Sequence, residues 1–493
     1  MKRLLLSLNF LFIPILFFGQ FPKKELRGVW IATVKNIDWP SDSNLSSEEK
    51  IKELKDLINY LDESGFNSIF FQVRTESDAF YEKTTEPWSS YLTGTQGKAP
   101  KPFFDPLKIL IEEAHKKGIE VHAWFNLNRG VFSNKTTIST NHIIRKHPEW
   151  FINFSGQKLY NFGLPQVREY LSNIMVDIAK NYEVDGVHLD DYFYPYPKKG
   201  VEFPDYQTYI KYRKGKESLA NWRRNNIDEI IKKISFDLKE TCPKVKFGIS
   251  PFGIWQHKKN DPMGSETTNG LQSYNDLFAD TRSWLEKGWI DYLAPQIYWD
   301  TKHAVAPYEL LAEWWTKNHF NRHIYIGMGI YHIEDNWNLA EVKKQMAIAD
   351  NLENNFGKIL FSSHILQNNY EKIGDYIKND AFKNKALVPP MPWKDSIPPL
   401  APENLRYAWT DNQLELNWDL SPKSADSESP KFYVVYESIK NLEKQSEYKI
   451  VRVVNTNKYT FPKNYQFYGK SYFVTSLDFT DNESSPSNKV EIE

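Results

Sequence analysis

The feature that most constrains this chain is a strict alternation of strand-like and helix-like segments across its first three quarters. Short apolar runs suited to strands cover residues 27–33, 68–74, 120–126, 186–191, 246–252, 291–299, 324–330 and 358–363. Helix-like stretches follow them at 46–64, 106–117, 165–182, 217–240, 273–287, 307–318, 339–354 and 370–377. Such alternation argues for a parallel sheet covered by helices. Eight units over roughly 360 residues match an α/β fold of the (β/α)8 TIM barrel type with insertions. A doubly wound open sheet is the alternative, but no Gly-rich phosphate loop follows any strand. Element ends are chemically sensible: Ser46 with Glu48 and Glu49 opens the first helix, and Gly65 and Gly118 close the first two. The loops after strands two to five are long, roughly 30 residues each, whereas those entering strands are short. A rim built on one face only points to the carboxyl ends of the strands as the working face.

The remaining chain has a different character. Residues 386–402 form a Pro-rich linker, expected to be stiff and extended. Residues 403–493 show alternating strand-like runs at 413–418, 432–437, 448–453 and 471–477, the pattern of a small all-β immunoglobulin-like sandwich. At the other end, Lys2 and Arg3 precede an apolar run from Leu4 to Phe18, so residues 1–19 read as a secretory signal peptide. No cysteine follows that run, which excludes a lipoprotein anchor, and no other segment is long and apolar enough to span a bilayer. The expected location is periplasmic or extracellular, with no membrane span after signal cleavage. The barrel is expected over residues 24–385.

Composition narrows the function. A net charge of −1 without a basic stripe makes nucleic acid a poor partner. The lone Cys242 excludes an intrachain disulfide and a thiolate zinc cluster. Aromatics make up 15% of the chain, enough to fill a core and still line a cleft whose rings would stack on sugars.

The most informative stretch is Asp185-Gly186-Val187-His188-Leu189-Asp190-Asp191-Tyr192-Phe193, a buried strand ending in two carboxylates and aromatics. Side chains alternate along a strand, so His188 and Asp190 face the barrel interior while Val187 and Leu189 face the helices. The same parity turns Gln72 and Arg74, His122, Trp124 and Asn126, and Ala294, Gln296 and Tyr298 inward. A bland barrel would fill these layers with Val, Ile and Leu. Polar groups there cost about 1–3 kcal/mol each when unsatisfied, so their convergence argues for a site. Glycosidic cleavage needs a proton donor to the leaving oxygen and a second group at the oxocarbenium-like centre. Asp190 is the first choice for one role, with Asp191 or Asp78 for the other and Glu76 weaker; Asp300 and Glu266 are better placed to touch solvent or substrate. The candidate substrate-binding set is Arg74, His122, Trp124, Asn126, His188, Tyr192, Trp255, Gln296, Tyr298 and Trp299. His122, His188 and Asp190 could instead hold a divalent ion, but strand one, Arg27–Thr33, carries no His-x-His, so no metal and no cofactor is assigned. No nucleophile elbow supports Ser/His/Asp chemistry. A carbohydrate-binding barrel without turnover, and a metal-dependent polysaccharide deacetylase or hydrolase, are the other two readings.

Six ordered motifs carry a resemblance: Leu26-Arg27-Gly28-Val29-Trp30; Phe71-Gln72-Val73-Arg74 with Asp78-Ala79-Phe80-Tyr81; His122-Ala123-Trp124-Phe125-Asn126; the strand-four segment; Ser250-Pro251-Phe252-Gly253-Ile254-Trp255; and Trp289 to Trp299. Over residues 24–385 the chain resembles the glycosyl-hydrolase-like 10 family of bacterial exported proteins. That resemblance implies a TIM-barrel glycosidase acting on peptidoglycan glycan strands stripped of their stem peptides, with its site at Asp190, His122, Asn126, Gln296 and Tyr298. Tyr192 stands where chitinase-like barrels carry the acid of Asp-x-Asp-x-Glu, so that scheme does not apply. The Asp190-Asp191 doublet is similar instead to that of some substrate-assisted hexosaminidases, where one carboxylate orients the 2-acetamido group and the other protonates the leaving oxygen. Residues 399–487 resemble a fibronectin type III domain, expected to act as a spacer or weak binder.

Overall fold

In the computed structural model, which describes residues 23–440 and 446–492, eight parallel strands close on themselves. They are β1 Leu26–Ile31, β2 Ser68–Arg74, β3 Glu120–Phe125, β4 Gly186–Leu189, β5 Lys246–Ile249, β6 in two pieces (Tyr292–Leu293 and Gln296–Ile297), β7 His323–Met328 and β8 Asn355–Leu360. Each pairs with its sequence neighbours, and β8 pairs back onto β1 through Leu26↔Gly357, which completes the TIM barrel. The expected signal peptide lies outside the described residues.

The alternation of side chains explains the layering. Ile69, Phe71, Val73, Val121, Ala123, Val187 and Leu189 pack outward in the cluster shared with the helices. Trp30, Phe70, Trp124, Tyr292 and Tyr325 fill the barrel interior. Helix α1, Ser47–Glu63, starts in a full capping box, Ser46 Oγ accepting from Glu49 N–H and Glu49 accepting from Ser46 N–H. The stretch expected as one helix over 273–287 is two, Ser273–Asp276 and Thr281–Glu286. Phe278 between them has φ +53, and Asp280 caps the second with its carboxylate.

The C-terminal residues form two antiparallel sheets. Strands β9 Glu403–Thr410, β10 Gln413–Asp419 and β13 Lys458–Thr460 make one; β11 Phe432–Lys440, β12 Ser446–Val454, β14 Lys470–Leu477 and β15 Val490–Glu491 make the other. Their inner faces share Leu405, Leu414, Leu416, Trp418, Tyr433, Val435 and Val474, so they pack as a sandwich. The outer face of the second sheet is also covered, because it lies on the lower end of the barrel. A Cβ on Gly118 would come within 2.2 Å of Val453, so only glycine fits at this left-handed helix end pressed against the sandwich. Residues 386–402 are not a free extended spacer: Val388 and Met391 join the interior barrel cluster and Trp393 donates to Asp291. The prolines stiffen the segment, but the apolar residues between them bind it to the barrel floor.

Candidate active site

At the carboxyl ends of the strands a cleft of about 620 Å³ opens, and Asp190 and Asp191 lie at its base. β4 ends at Leu189, so both aspartates sit in the first turn beyond the ladder, where side chains clear the strand. The walls are aromatic: Trp30, Trp124, Tyr192, Tyr196, Phe252, Tyr298, Trp299, Tyr331 and Phe361.

Asp190 is held by three N–H donors. Trp124 Nε1 (3.1 Å) and Asn126 Nδ2 (3.2 Å) donate to Oδ2, and the Tyr192 backbone donates to Oδ1 at 3.2 Å. The other end of the Asn126 amide accepts from Arg129 N–H at 3.0 Å, which fixes its orientation. With Oδ2 occupied by two donors, a proton on Asp190 belongs on Oδ1. Burial, and then the adjacent charge of Asp191, raise this carboxyl to about 7. Burial also raises Asp191, opposed by hydrogen bonds from the Tyr196 hydroxyl and Gln296. One carboxyl is therefore poised to give a proton near neutrality, and its neighbour, raised as well by burial, is held by the Tyr196 and Gln296 hydrogen bonds.

Below the cleft runs a column of hydrogen bonds along the barrel axis. Trp30 Nε1 donates to His188 Nε2 at 3.3 Å, and an indole N–H can only donate, so His188 carries its proton on Nδ1. That N–H meets Tyr292 Oη at 3.1 Å; Tyr292 O–H then serves His122 Nδ1 at 2.9 Å, and His122 Nε2–H meets Glu120 at 3.3 Å. Burial keeps both histidines neutral, lowering their basicity. Their order is imposed from above by the donor-only indole and from below by Glu120, which Lys246 holds ionised against the penalty of burial.

The family is legible at the same residues. The glycosyl hydrolase-like 10 family matches residues 25–345, which cover β1 to β7 and the turn that carries the aspartates. The chain belongs to this family. Membership places it among carbohydrate-active enzymes. The Bacillus subtilis (strain 168) protein named glycosyl hydrolase YngK is 39% identical over 482 residues, 95% of this chain and 93% of that one. Glycosyl hydrolase DigH of Escherichia coli (strain K12) is 35% identical over 376 residues, 70% of this chain and 85% of its own. Among solved structures, the glycoside hydrolase domain of PgaB (BpsB) from Bordetella bronchiseptica aligns with a TM-score of 0.46 and 11% identity, covering 72% of this chain and 98% of that one.

Within this glycosyl hydrolase-like 10 barrel, eight of the residues singled out from the sequence line the cleft together: Trp124, Asn126, Asp190, Asp191, Tyr192, Gln296, Tyr298 and Trp299. His122 and His188 are inward but fully buried beneath it, so they order its floor rather than meet a ligand. Three residues lie elsewhere. Arg74 was expected to face the cleft by strand parity, but the β2–β3 register shifts between Gln72 and Arg74, and the bulge turns Arg74 aside. Its guanidinium is buried against Glu86 (2.7 and 2.8 Å). Asp78 is consumed locally, accepting from Thr75 N–H and Oγ1 and from Glu76 N–H. Trp255 packs among the helices, 5.9 Å from Trp314 between ring centroids, and donates to Asp280 at 3.1 Å. The set weighed for a metal does not converge: among the described residues the one trio close enough to share an ion is Asp395, Asp426 and Glu428, outside the cleft.

Sequence reasoning did not single out Trp30, Arg129, Tyr196, Phe252, Tyr331, His332 or Phe361, all of which line the cleft. Tyr196 could have been found, since it follows the doublet in an aromatic run. Arg129 could not, because only the small sheet of Arg129–Val131, Gln157–Tyr160 and Phe151–Phe154 brings it over Tyr192.

Proposed function

We propose that the chain is an exported glycoside hydrolase that cleaves glycosidic bonds in an N-acetylated bacterial polysaccharide, the peptide-free glycan strand of peptidoglycan being the substrate that best fits. The observation that carries this reading is the Asp190–Asp191 doublet at the base of a ring-lined cleft, with Asp190 raised to about 7. Asp190 delivers its proton to the leaving oxygen, Asp191, steadied by Tyr196 and Gln296, faces the charge that develops at the anomeric centre, and a water then bonds to the anomeric carbon and gives its proton back to Asp190. In a substrate-assisted version Asp191 orients the 2-acetamido group so that the substrate itself supplies the nucleophile. The rings of Tyr192, Tyr196 and Trp299 offer stacking surfaces for successive sugars. The sandwich, similar in motif order to fibronectin type III, is read as a structural partner of the barrel.

The test is incubation of the purified protein with peptide-free peptidoglycan strands and mass spectrometry of the released sugars. Wild type should yield short saccharides and Asp190→Asn none. Glycan retention without cleavage by either protein would assign a binding barrel instead. Tight inhibition by a thiazoline-type sugar supports the substrate-assisted version; a trapped covalent glycosyl-enzyme refutes it.

A further inference from the structure

The segment between the aspartate turn and the helix Leu219–Thr241 carries chemistry that the cleft does not use. Three of its side chains are fastened inward. Phe203 packs on Phe154 and Tyr194, with ring centroids 5.5 and 5.6 Å apart, Asp205 pairs with Arg223, and Tyr209 packs on Trp222 at 5.6 Å. Around these anchors the chain turns apolar groups outward: Val201 is 51% exposed, Tyr206 55% and Ile210 45%. Val201 N–H closes onto the Lys198 carbonyl at 3.0 Å, so Val201 stands beside Lys198 and Lys199 in a tight turn that Gly200 permits at φ +73. Tyr206 and Ile210 lie one turn apart on the helix Tyr206–Tyr212 and share a face. A lone exposed apolar residue needs no explanation, but three within ten residues of an anchored segment make a surface. Cations flank it. Lys198, Lys199, Lys211, Arg213, Lys214 and Lys216 stand against Glu202, Asp205 and Glu217, and Asp205 is spent on Arg223. All six cations are exposed, and among the described residues only Lys214 has a carboxylate in ion-pair range, Glu229 at 3.4 Å. A chain of net charge −1 thus concentrates positive charge around this outward apolar group.

We propose that this insertion after β4 is a peripheral contact for an anionic phospholipid bilayer. Val201, Tyr206 and Ile210 enter the boundary between headgroups and acyl chains, and the flanking lysines and Arg213 face the lipid phosphates. Charge complementarity selects a negative partner. The aliphatic Val201 and Ile210 select a bilayer over a soluble polyanion, which offers no apolar surface to bury them. Tyr206 suits the same boundary, with an apolar ring and a hydroxyl that stays wet. The segment begins at Tyr192 and Tyr196, which line the cleft, so a bilayer held here lies beside the cleft mouth. The proposal is independent of which bond the cleft cuts.

The test is sedimentation with vesicles of phosphatidylcholine alone or with about 30% phosphatidylglycerol. It uses the chain from Gln20 onward, so that the apolar run Leu4–Phe18 cannot itself bind lipid. Wild type should bind the anionic vesicles at least about tenfold more tightly than the neutral ones, and the preference should fade between about 0.05 and about 0.5 M salt. The double variant Val201→Ser with Ile210→Ser should lose at least about tenfold in affinity, and so should Lys198→Gln with Lys199→Gln and Lys211→Gln. All five positions are exposed, so the melting temperature should stay that of wild type. Leu420→Ser, an exposed apolar control on the sandwich, should bind like wild type. Equal binding to both vesicles, or none to either, overturns the proposal. So does binding that both multiple variants retain, because another surface would then carry it. Binding that the lysine variant loses, that the Val201 and Ile210 variant keeps, and that soluble poly(glycerol phosphate) abolishes assigns the segment to a polyanion and overturns the bilayer. Sugar release is not read in any arm, so failure of the cleavage reading leaves these outcomes unchanged.

Discussion

Asp190 holds its proton to near neutrality because it is buried beside a second carboxylate, and that has a cost for folding. The unfolded chain releases this proton near pH about 3.9. Between that value and about 7 the folded chain binds a proton that the unfolded chain has lost, so stability falls as pH rises through the window. Asp190→Asn should therefore be more stable than wild type at pH 8, by about 1–3 kcal/mol, with the gain gone below pH about 4. The same substitution should lower kcat by about 10²–10⁴. In wild type, cleavage should decline above pH about 7 as Asp190 ionises, and a profile flat to pH 9 would remove it as the acid. Thermal scans at the two pH values and a pH–rate profile read these outcomes.

At the scale of elements, the loops after β2 and β3 behave as one built unit. Arg74 is the tie: it binds Glu86 twice, reaches Tyr160 Oη at 3.1 Å and donates to the Asn126 carbonyl at 2.6 Å. Asn126 in turn donates to Asp190, so a pair that never meets the cleft positions a residue that does. Removing one partner leaves an uncompensated buried charge. Glu86→Ala should thus destabilise the fold by about 3–5 kcal/mol, whereas the paired apolar replacement Arg74→Met with Glu86→Leu should cost much less. Chemical denaturation of the three proteins checks the difference. Where the double replacement folds, kcat should still drop, because the Asn126 carbonyl has lost its anchor.

Across the whole molecule, the sandwich completes the barrel floor. Lys246, fully buried at the start of β5, bridges Glu120 of β3 (2.6 Å) and Asp481 of the sandwich (2.5 Å). Lys431 pairs with Asp185, and Arg452 and Lys385 share Asp62. Glu120 is also the foot of the column that rises through His122, Tyr292 and His188 to Trp30 in the cleft. Truncation after residue 385 would expose Val453-facing Gly118 and strip Lys246 of one carboxylate. The truncated barrel is expected to be insoluble or to unfold well below the full chain, and Lys246→Met to destabilise the full chain by about 3–5 kcal/mol. Size-exclusion chromatography and thermal scans decide both; a truncated barrel as stable as the parent would make the sandwich a mere appendage.

Periodicity alone determined the barrel of this protein. Apolar parity along β2, β3 and β4 dictates which residues face the helices, and Ser46 and Gly118 mark helix ends through local chemistry that needs no partner. The position of Asp190 and Asp191 followed from the same rule, since the end of a strand is a local property. Tertiary structure alone decided the rest. A one-residue bulge took Arg74 out of the cleft, a local turn absorbed Asp78, and an inserted sheet swung Arg129 into the cleft wall, where its charge acts on Asp190 and Asp191. Parity holds only while the ladder is regular, and a charge's partner is chosen by distance in space, which residues far apart along the chain settle only by packing.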